Sequence, residues 1–298
     1  MKRFNLPLIY FVLLSLSGCN IYEQDEYREL VVLEAYAIAN RELPDVRLSR
    51  TIPVMAEYNF PNAALTEAIV SMTHLDENGS EIQTFNYRQQ SAGVYRPLNR
   101  EYRVEAGHTY QLDVTFNDRT EILQSQTTVP HQFEILSDVA ESYVYQTDDQ
   151  LEILLTATES NARQNIYVFN TLTLEPAIDN LTPFYRSAVV DGDSQISEFF
   201  NNSSGLINEG NFEIREDQTI LLRFPWIGVA FYGENAVVTN SVDQYLADLV
   251  RSQQLQLGGS TLPPGEIPNL IYNVEGGIGV FGSIATDTVI TRFAHPIP

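Results

Sequence analysis

Residues 109–116 read Thr-Tyr-Gln-Leu-Asp-Val-Thr-Phe, so polar and apolar side chains alternate along the whole stretch. Successive side chains of a β-strand point to opposite faces, and a period of two therefore places the apolar side chains from Tyr110 to Phe116 on one face. The pattern predicts a strand with one buried face and one polar face.

A β-hairpin is predicted upstream of this strand. Val70 and Met72 alternate with polar neighbours, and Asp76-Glu77-Asn78-Gly79 follows them. Asn-Gly readily adopts the positive φ angles of a tight hairpin turn. Residues 81–88 are therefore predicted to form the returning strand.

The same alternation extends through most of the first part of the chain. Further strands are predicted at residues 30–38, 46–52, 93–98 and 121–129. About seven short strands within about 100 residues predict an antiparallel β-sandwich of immunoglobulin or transthyretin type. This first domain is predicted to span residues 30–130.

A second β-rich domain is predicted for residues 131–298. Its strand candidates are residues 133–139, 150–158, 166–174, 219–224, 228–232 and 236–239, and the polar residues 201–205 are predicted to form a loop. Between Val242 and Val250 the apolar residues recur at helical spacing, which predicts one amphipathic helix near residues 241–254. Ser241 with Gln244 fits a capping box at its start. The predicted fold class is mainly β with this single amphipathic helix.

The first residues of the chain have the features of a secretory signal peptide, predicted at residues 1–18. Lys2 and Arg3 precede a short apolar run, which ends at Leu16-Ser17-Gly18-Cys19. The run is too short to cross a hydrocarbon layer of about 30 Å. The last four residues resemble a bacterial lipobox, which implies cleavage before Cys19 and lipid modification of its sulfur.

The position of Cys19 supports this interpretation, because it is the only cysteine of the chain and cannot form an internal disulfide. The multiple acylation that the lipobox implies would give stable membrane anchoring. Residues 19–29 include Glu23, Asp25, Glu26 and Glu29 and are predicted to form a solvated tether. Acidic residues at this place also resemble a surface-export signal of Bacteroidota lipoproteins. The alternatives are a plain linker and a plain secreted protein.

The charge of the chain excludes one class of partner. Its 298 residues include 39 acidic and 17 basic ones, a formal net charge of −22. Such a surface repels phosphate backbones, which argues against nucleic-acid binding.

The motifs of known chemistry are incomplete. Gly277 to Gly282 matches G-x-G-x-x-G, but the β-branched residues that follow do not predict the helix that a dinucleotide site requires, so a glycine-rich turn or bulge is predicted. The chain has no G-x-S-x-G sequence. No metal site and no cofactor is predicted, because the histidines are scattered without the spacing of zinc ligands: His74, His108, His131 and His295.

Two features leave alternatives open. Asp76-Glu77-Asn78 and Asp191-Gly192-Asp193 could supply oxygen ligands to Ca²⁺ or could be ordinary acidic turns. The aromatic groups could form a stacking surface for a glycan or peptide if exposed, or belong to the core if buried. These groups are Phe184-Tyr185, Phe199-Phe200, Phe224-Pro225-Trp226 and Phe231-Tyr232.

Taken together, five segments resemble a Bacteroidota outer-membrane lipoprotein family of unknown function, in order and over nearly all of the mature chain. They are Leu30 to Val32, Val46 to Ser49, Gly93 to Tyr95, Gly107 to Leu112 and Asn273 to Gly282. The last segment is the most specific. Its motif residues, which are predicted to be structural, are Asn273, Glu275, Gly276, Gly277, Gly279, Phe281 and Gly282.

The resemblance implies a function in binding, because members of this family look like companions of TonB-dependent outer-membrane receptors. We expect a lipid-anchored protein on the outer membrane, facing the cell exterior. It would capture or hand over a small-molecule, glycan or peptide ligand, without catalytic residues of its own. A surface hydrolase acting on polysaccharide or peptide, and a structural envelope or adhesion protein, are the alternatives.

The anchor gives a first testable prediction. Mass spectrometry of the mature protein is expected to find an N-terminal Cys19 that carries acyl chains, and cell fractionation is expected to find the protein in the membrane. A bare Cys19 sulfur, or protein free in the medium, would contradict the predicted lipidation.

Overall fold

The computed structural model describes residues 27–53, 55–117, 119–156, 165–258 and 270–296, with the backbone alone described for residues 255–258. The fold class predicted from the sequence is confirmed: the protein is mainly β, with one large sheet and one smaller sheet. The immunoglobulin or transthyretin type stays a prediction. The predicted signal peptide, with Leu16, Ser17, Gly18 and Cys19, and most of the acidic tether lie outside the described residues.

The alternating pattern of the first 130 residues forms the predicted strands. These strands are β1 Val31–Ile38, β2 Val46–Arg50, β3 Ala68–Leu75, β4 Glu81–Ser91, β5 Val94–Pro97, β6 Thr109–Phe116 and β7 Ile122–Thr128, with the short helix α1 Phe60–Ala63 between β2 and β3. In β6 the four apolar side chains are buried and the polar ones between them are partly exposed. The period-two prediction is therefore confirmed in detail for this strand.

The second part of the chain contributes shorter strands and two longer ones. They are β8 Ser142–Val144, β9 Glu152–Leu155, β10 Ile166–Thr173, β11 Asn201–Ser203, β12 Ile207–Asn208, β13 Glu213–Ile214, β14 Ile220–Arg223, β15 Gly233–Val242, β16 Val274–Glu275 and β17 Ile278–Ala294. The helices are α2 Pro183–Val190 and α3 Gln244–Gly258. No helix of the described residues has both the length and the apolar character needed to span a membrane.

Several local predictions for this part were wrong. Residues 133–139 form only an isolated bridge at Ile135, and residues 228–232 are not a strand. The predicted loop at 201–205 begins with β11. Short helices also form where none was predicted, as in α2.

The predicted helix exists but begins later than expected. Ser241 belongs to β15 and pairs with Tyr167 and Ala285, so it cannot cap the helix. Asp243 caps it instead, because its Oδ1 accepts a hydrogen bond from the backbone N–H of Leu246 at 2.7 Å.

The long strand β17 lies between the two parts of the large sheet. On one side it pairs in parallel with β1, from Val32 opposite Ile278 to Ile38 opposite Ile284. On the other side it pairs antiparallel with β15, from Val242 opposite Ile284 to Gly233 opposite Phe293. Strands from both sides of the boundary predicted at residue 130 thus share one sheet, and the division into domains stays a prediction.

The first part of the large sheet curves back on itself, so that β7 lies beside β17. β5 pairs with both β2 and β4, and β16 pairs with β7. The hydroxyl of Ser283 in β17 donates to the carbonyl of Thr128 in β7 at 3.0 Å. The enclosed core includes fully buried side chains such as Leu33, Met72, Leu112 and Phe281, and the smaller sheet of β9, β13 and β14 adds Ile153 and Ile220 to the same apolar cluster.

The buried side chain of Asp243 links the start of helix α3 to strands β7 and β17. Its Oδ2 accepts hydrogen bonds from the backbone N–H of Ser283, at 3.0 Å, and from the hydroxyl of Thr127 in β7. Burial raises the pKa of Asp243, although these hydrogen bonds stabilise the ionised carboxylate and oppose the increase. The start of α3 is therefore tied to β7 and β17 at one point.

Gly279 allows the close approach of β17 to β1. Its φ angle is +117°, and a Cβ atom built on it would lie 2.0 Å from the carbonyl oxygen of Leu33. No side chain fits at that distance, so the parallel pairing requires glycine here.

Gly279→Ala is therefore expected to lower the free energy of unfolding by about 2–5 kcal/mol, from a positive φ and a backbone clash together. Gly79→Ala is the matched control, because Gly79 also has a positive φ, +78°, but open space around its Cβ position. This control is expected to lose only about 1–2 kcal/mol. Urea unfolding of the two variants measures the difference, and equal losses would contradict the close approach.

Candidate functional site

The motif residues near the end of the chain connect strands. Asn273 Nδ2 donates to the carbonyl oxygens of Phe281 at 2.7 Å and Gln126 at 3.0 Å, and its Oδ1 accepts from the backbone N–H of Phe281 at 3.0 Å. The Asn273 side chain therefore joins the segment before β16 to β7 and β17. Its bonding capacity is used within the fold, which leaves little of it for a ligand.

The glycines of this motif serve backbone packing. A Cβ atom on Gly276, whose φ is +77°, would lie 2.0 Å from the carbonyl oxygen of Ile122, and one on Gly277 would lie 2.7 Å from that of Val31. Strand β17, which contains Gly279 and Gly282, follows directly. A strand in this place lacks the helix N-terminus that receives a pyrophosphate, so the G-x-G-x-x-G match does not form a dinucleotide site.

A groove between α3 and the sheet is the candidate ligand site. It has a volume of about 600 Å³. Its lining residues are Val168 and Asn170 of β10, Ser203, Gly205 and Leu206, Asn240 and Val242 of β15, Leu246, Val250 and Gln254 of α3, and Ile284 of β17. We call this feature the α3 groove. The predicted helical spacing places Leu246 and Val250 on the face of α3 that lines it.

The α3 groove combines apolar side chains with a few oriented amides. Asn240 Nδ2 donates to Asn170 Oδ1 at 3.0 Å and to the carbonyl oxygen of Val168 at 3.1 Å, which fixes the Asn240 amide. None of the described residues that line the groove is ionisable. Predominantly apolar clefts with a few fixed polar groups are typical of small-ligand sites, and this one suits a neutral ligand with apolar parts.

The aromatic groups singled out in the sequence are mostly core. Tyr185, Phe224, Phe231 and Tyr232 are buried, whereas Phe184 is 62% exposed. Tyr185 packs edge-on against Phe199, with ring centroids 4.8 Å apart. The described aromatic residues therefore form no continuous stacking platform from these four groups.

One of the two acidic turns uses its carboxylate to bind its own backbone. Asp76 Oδ1 accepts hydrogen bonds from the backbone N–H groups of Asn78 at 2.9 Å and Ser80 at 2.7 Å, in the turn between β3 and β4. Asp191 ends α2, and Gly192 follows with a φ of +81°. The Asp76 carboxylate therefore has a structural role in its turn that does not involve Ca²⁺.

Two histidines that are far apart in the sequence lie together. His74 Nε2 is 2.7 Å from His108 Nδ1, and Glu105 Oε2 is 3.7 Å from His108 Nε2. His74 is buried and His108 is partly exposed. Burial, together with the neighbouring His108, lowers the pKa of His74, which favours its neutral form. These three residues are the one group of metal-ligand type with at least three members in the described part of the chain, and we call them the histidine cluster.

Sequence spacing missed the histidine cluster because β3 pairs with β6, which is distant along the chain. His74 lies opposite Tyr110 in this pairing, and His108 comes two residues before Tyr110. Diagonal neighbours of this kind lie within reach of long side chains. The expectation of scattered histidines therefore does not hold for this pair.

Similar solved structures include three N-terminal domains of the highly immunogenic outer capsid protein of bacteriophage RB49, with 12% identity over 90% of this chain and 71% of that one, and a TM-score of 0.23. A tetra-tandem repeat of a large adhesion protein has 9% identity over 89% of this chain and 49% of that one, with a TM-score of 0.22. Elastase-activated α2-macroglobulin of Escherichia coli has 9% identity over 91% of this chain and 24% of that one, with a TM-score of 0.25. TM-scores this low support neither a shared fold nor a shared function.

No curated protein matches the chain in sequence. A family model does, and it covers residues 20–290. This range contains every strand that builds the fold except the end of β17, and it includes the whole glycine-rich motif. The chain therefore belongs to the family described as a domain of unknown function, DUF4249.

Proposed function

We propose that this protein is an outer-membrane lipoprotein that binds a neutral, partly apolar ligand in the α3 groove as an accessory to a TonB-dependent receptor. One observation carries the binding part of the proposal. In a chain of net charge −22, the described lining of the α3 groove contains no ionisable side chain. Such a neutral lining favours capture of an uncharged group.

The same lining favours ligand binding over catalysis in the α3 groove. General acid-base catalysis needs a titratable group within hydrogen-bond reach of the substrate. The polar groups of the α3 groove are amides and a hydroxyl, such as Asn170, Asn240 and Ser203, which orient a ligand by donating and accepting hydrogen bonds. Glycans and peptides offer both matching polar groups and apolar patches, as do neutral small molecules.

The lipobox, the acidic residues after it and the family resemblance support the location and the partner. A tether of about 11 residues spans at most about 40 Å when fully extended. Lipid on Cys19 would confine the protein to the membrane surface and raise its effective concentration near a receptor. A ligand held in the α3 groove would then need to travel only a short distance to the receptor.

The rival functions predict different observations. A hydrolase acting on polysaccharide or peptide would cleave its substrate, and a structural or adhesion protein would affect cell cohesion rather than ligand uptake when it is deleted. A pocket of about 420 Å³ is lined by exposed carboxylates, those of Asp138, Asp148, Asp149 and Glu152. Exposed carboxylates are common on a protein with a large net negative charge and do not by themselves favour a hydrolase.

Val250→Arg is expected to weaken ligand binding by about tenfold or more, because it places a cation among the apolar side chains of the α3 groove. Gln253→Arg is the matched control: it adds the same charge to the same helix at an exposed position that does not line the groove. The purified full-length chain is first screened against glycans, peptides and siderophores, and calorimetry then measures the affinity of both variants for each hit. Equal affinities of the two variants would contradict binding in the α3 groove.

Pull-down of the lipidated chain from detergent-solubilised outer membranes is expected to recover a TonB-dependent receptor. Val250→Arg should recover it as well, because the α3 groove is assigned to the ligand and not to the receptor. A pull-down that recovers no receptor would contradict the accessory role and would leave the result for ligand binding intact.

A further inference from the structure

The histidine cluster has the composition of a metal site. One possible ligand atom of each of His74, Glu105 and His108 lies within 4.8 Å of the others. Two imidazoles with one carboxylate form a known three-ligand set for Zn²⁺, in which water or another ligand completes the coordination. We propose that this cluster binds a divalent transition-metal ion of the zinc type.

The hydrogen bonds around His74 leave one of its nitrogens available as a ligand. Tyr102 has one hydroxyl hydrogen, and the carboxylate of Glu105, whose Oε1 is 3.0 Å away, accepts it. His74 Nδ1 lies 3.0 Å from the same hydroxyl oxygen and therefore donates to it. His74 Nε2 then carries no hydrogen, and its lone pair points into the cluster.

This arrangement matches the surroundings of metal-binding histidines in general. A ligating imidazole usually donates its second N–H to an oxygen, which fixes its tautomer and orientation. Tyr102 supplies that oxygen here, and it also holds the carboxylate of Glu105. The ring of Tyr110 stacks on His74 at a centroid distance of 5.0 Å and stabilises the ring position.

The other two ligands are free to adjust. The side chains of His108 and Glu105 are 43% and 50% exposed. Tetrahedral Zn²⁺ with bonds of about 2.0–2.1 Å holds its nitrogen ligands about 3.3 Å apart. The two histidine nitrogens, now 2.7 Å apart, must therefore separate by about half an ångström, which rotation of the exposed His108 ring provides.

The protons balance during binding. Without metal, His108 Nδ1–H donates to His74 Nε2. On binding, both of these nitrogens and one carboxylate oxygen of Glu105 ligate the ion, and the hydrogen of His108 moves from Nδ1 to Nε2 by exchange with solvent. The hydrogen bond between the rings is replaced by two nitrogen–metal bonds and one oxygen–metal bond, and no hydrogen is gained or lost by either ring.

The ligand types select the class of ion. Ca²⁺ and Mg²⁺ prefer oxygen ligands alone, whereas imidazole suits Zn²⁺, Cu²⁺ and Ni²⁺. The exposed side of the cluster, at His108 and Glu105, lets an ion enter from solvent and leaves room for water as a further ligand. The cluster shares no residue with the α3 groove, so this inference does not depend on the proposed function.

Titration of the full chain with ZnCl₂ tests the site, after chelator treatment and in competition with a chromophoric indicator. The wild type is expected to bind one tight equivalent of Zn²⁺. Loss of a partner beyond the ligands typically weakens metal binding by about 10–100-fold, so Tyr102→Phe is expected to lose that much, and His108→Ala and Glu105→Gln at least as much. His131→Ala is the matched control, since the exposed His131 ring packs against Gly107 beside the cluster and is not one of its members.

Thermal unfolding of the same proteins separates loss of the site from loss of the fold. All variants are expected to unfold cooperatively without metal, and excess Zn²⁺ should raise the Tm of the wild type and of His131→Ala but not of His108→Ala. Wild-type affinity in both His108→Ala and Glu105→Gln would overturn the proposal. Absence of a tight Zn²⁺ equivalent in the wild type would do so as well.

Discussion

The pairing of β17 with both β1 and β15 is the constraint on which the rest of the structure depends. The first half of β17 pairs with β1 and so extends the sheet of the first 130 residues. Its second half pairs with β15, which in turn pairs with β10. Ser283 pairs with β1 directly before Ile284, where the pairing with β15 begins, and its backbone N–H donates to Asp243. The start of α3 therefore has a fixed position relative to β17. The α3 groove exists because α3 is held there, and its lining includes Ile284 of the same strand.

Local patterns predicted the strands of the first 130 residues better than the local structure of the second part. Alternation in residues 109–116 and the Asn-Gly turn at residue 78 identified strands and a hairpin, because the side chains that define them are neighbours in sequence. The apolar face of α3 was found for the same reason. Its first residue was misplaced, because the pairing of Ser241 with β10 and β17 overrides the local capping signal.

Long-range pairing could not be predicted from one sequence. The glycines near residue 279 indicated close backbone packing, but only the structure shows that β1 is the partner. The histidine cluster depends likewise on the pairing of β3 with β6, and the α3 groove on the order β10, β15, β17. Residue spacing alone therefore could not predict either candidate site, although the sequence contains every residue that forms them.

The parallel contact between β1 and β17 joins the first strand to the last. During synthesis from the N-terminus, β1 (Val31–Ile38) is made long before β17, which begins at Ile278. Contacts between such distant segments slow folding, so the nascent chain stays open for longer than a protein built from local hairpins would. The large sheet can therefore take its final form only after β17 has become available to pair with β1 and β15.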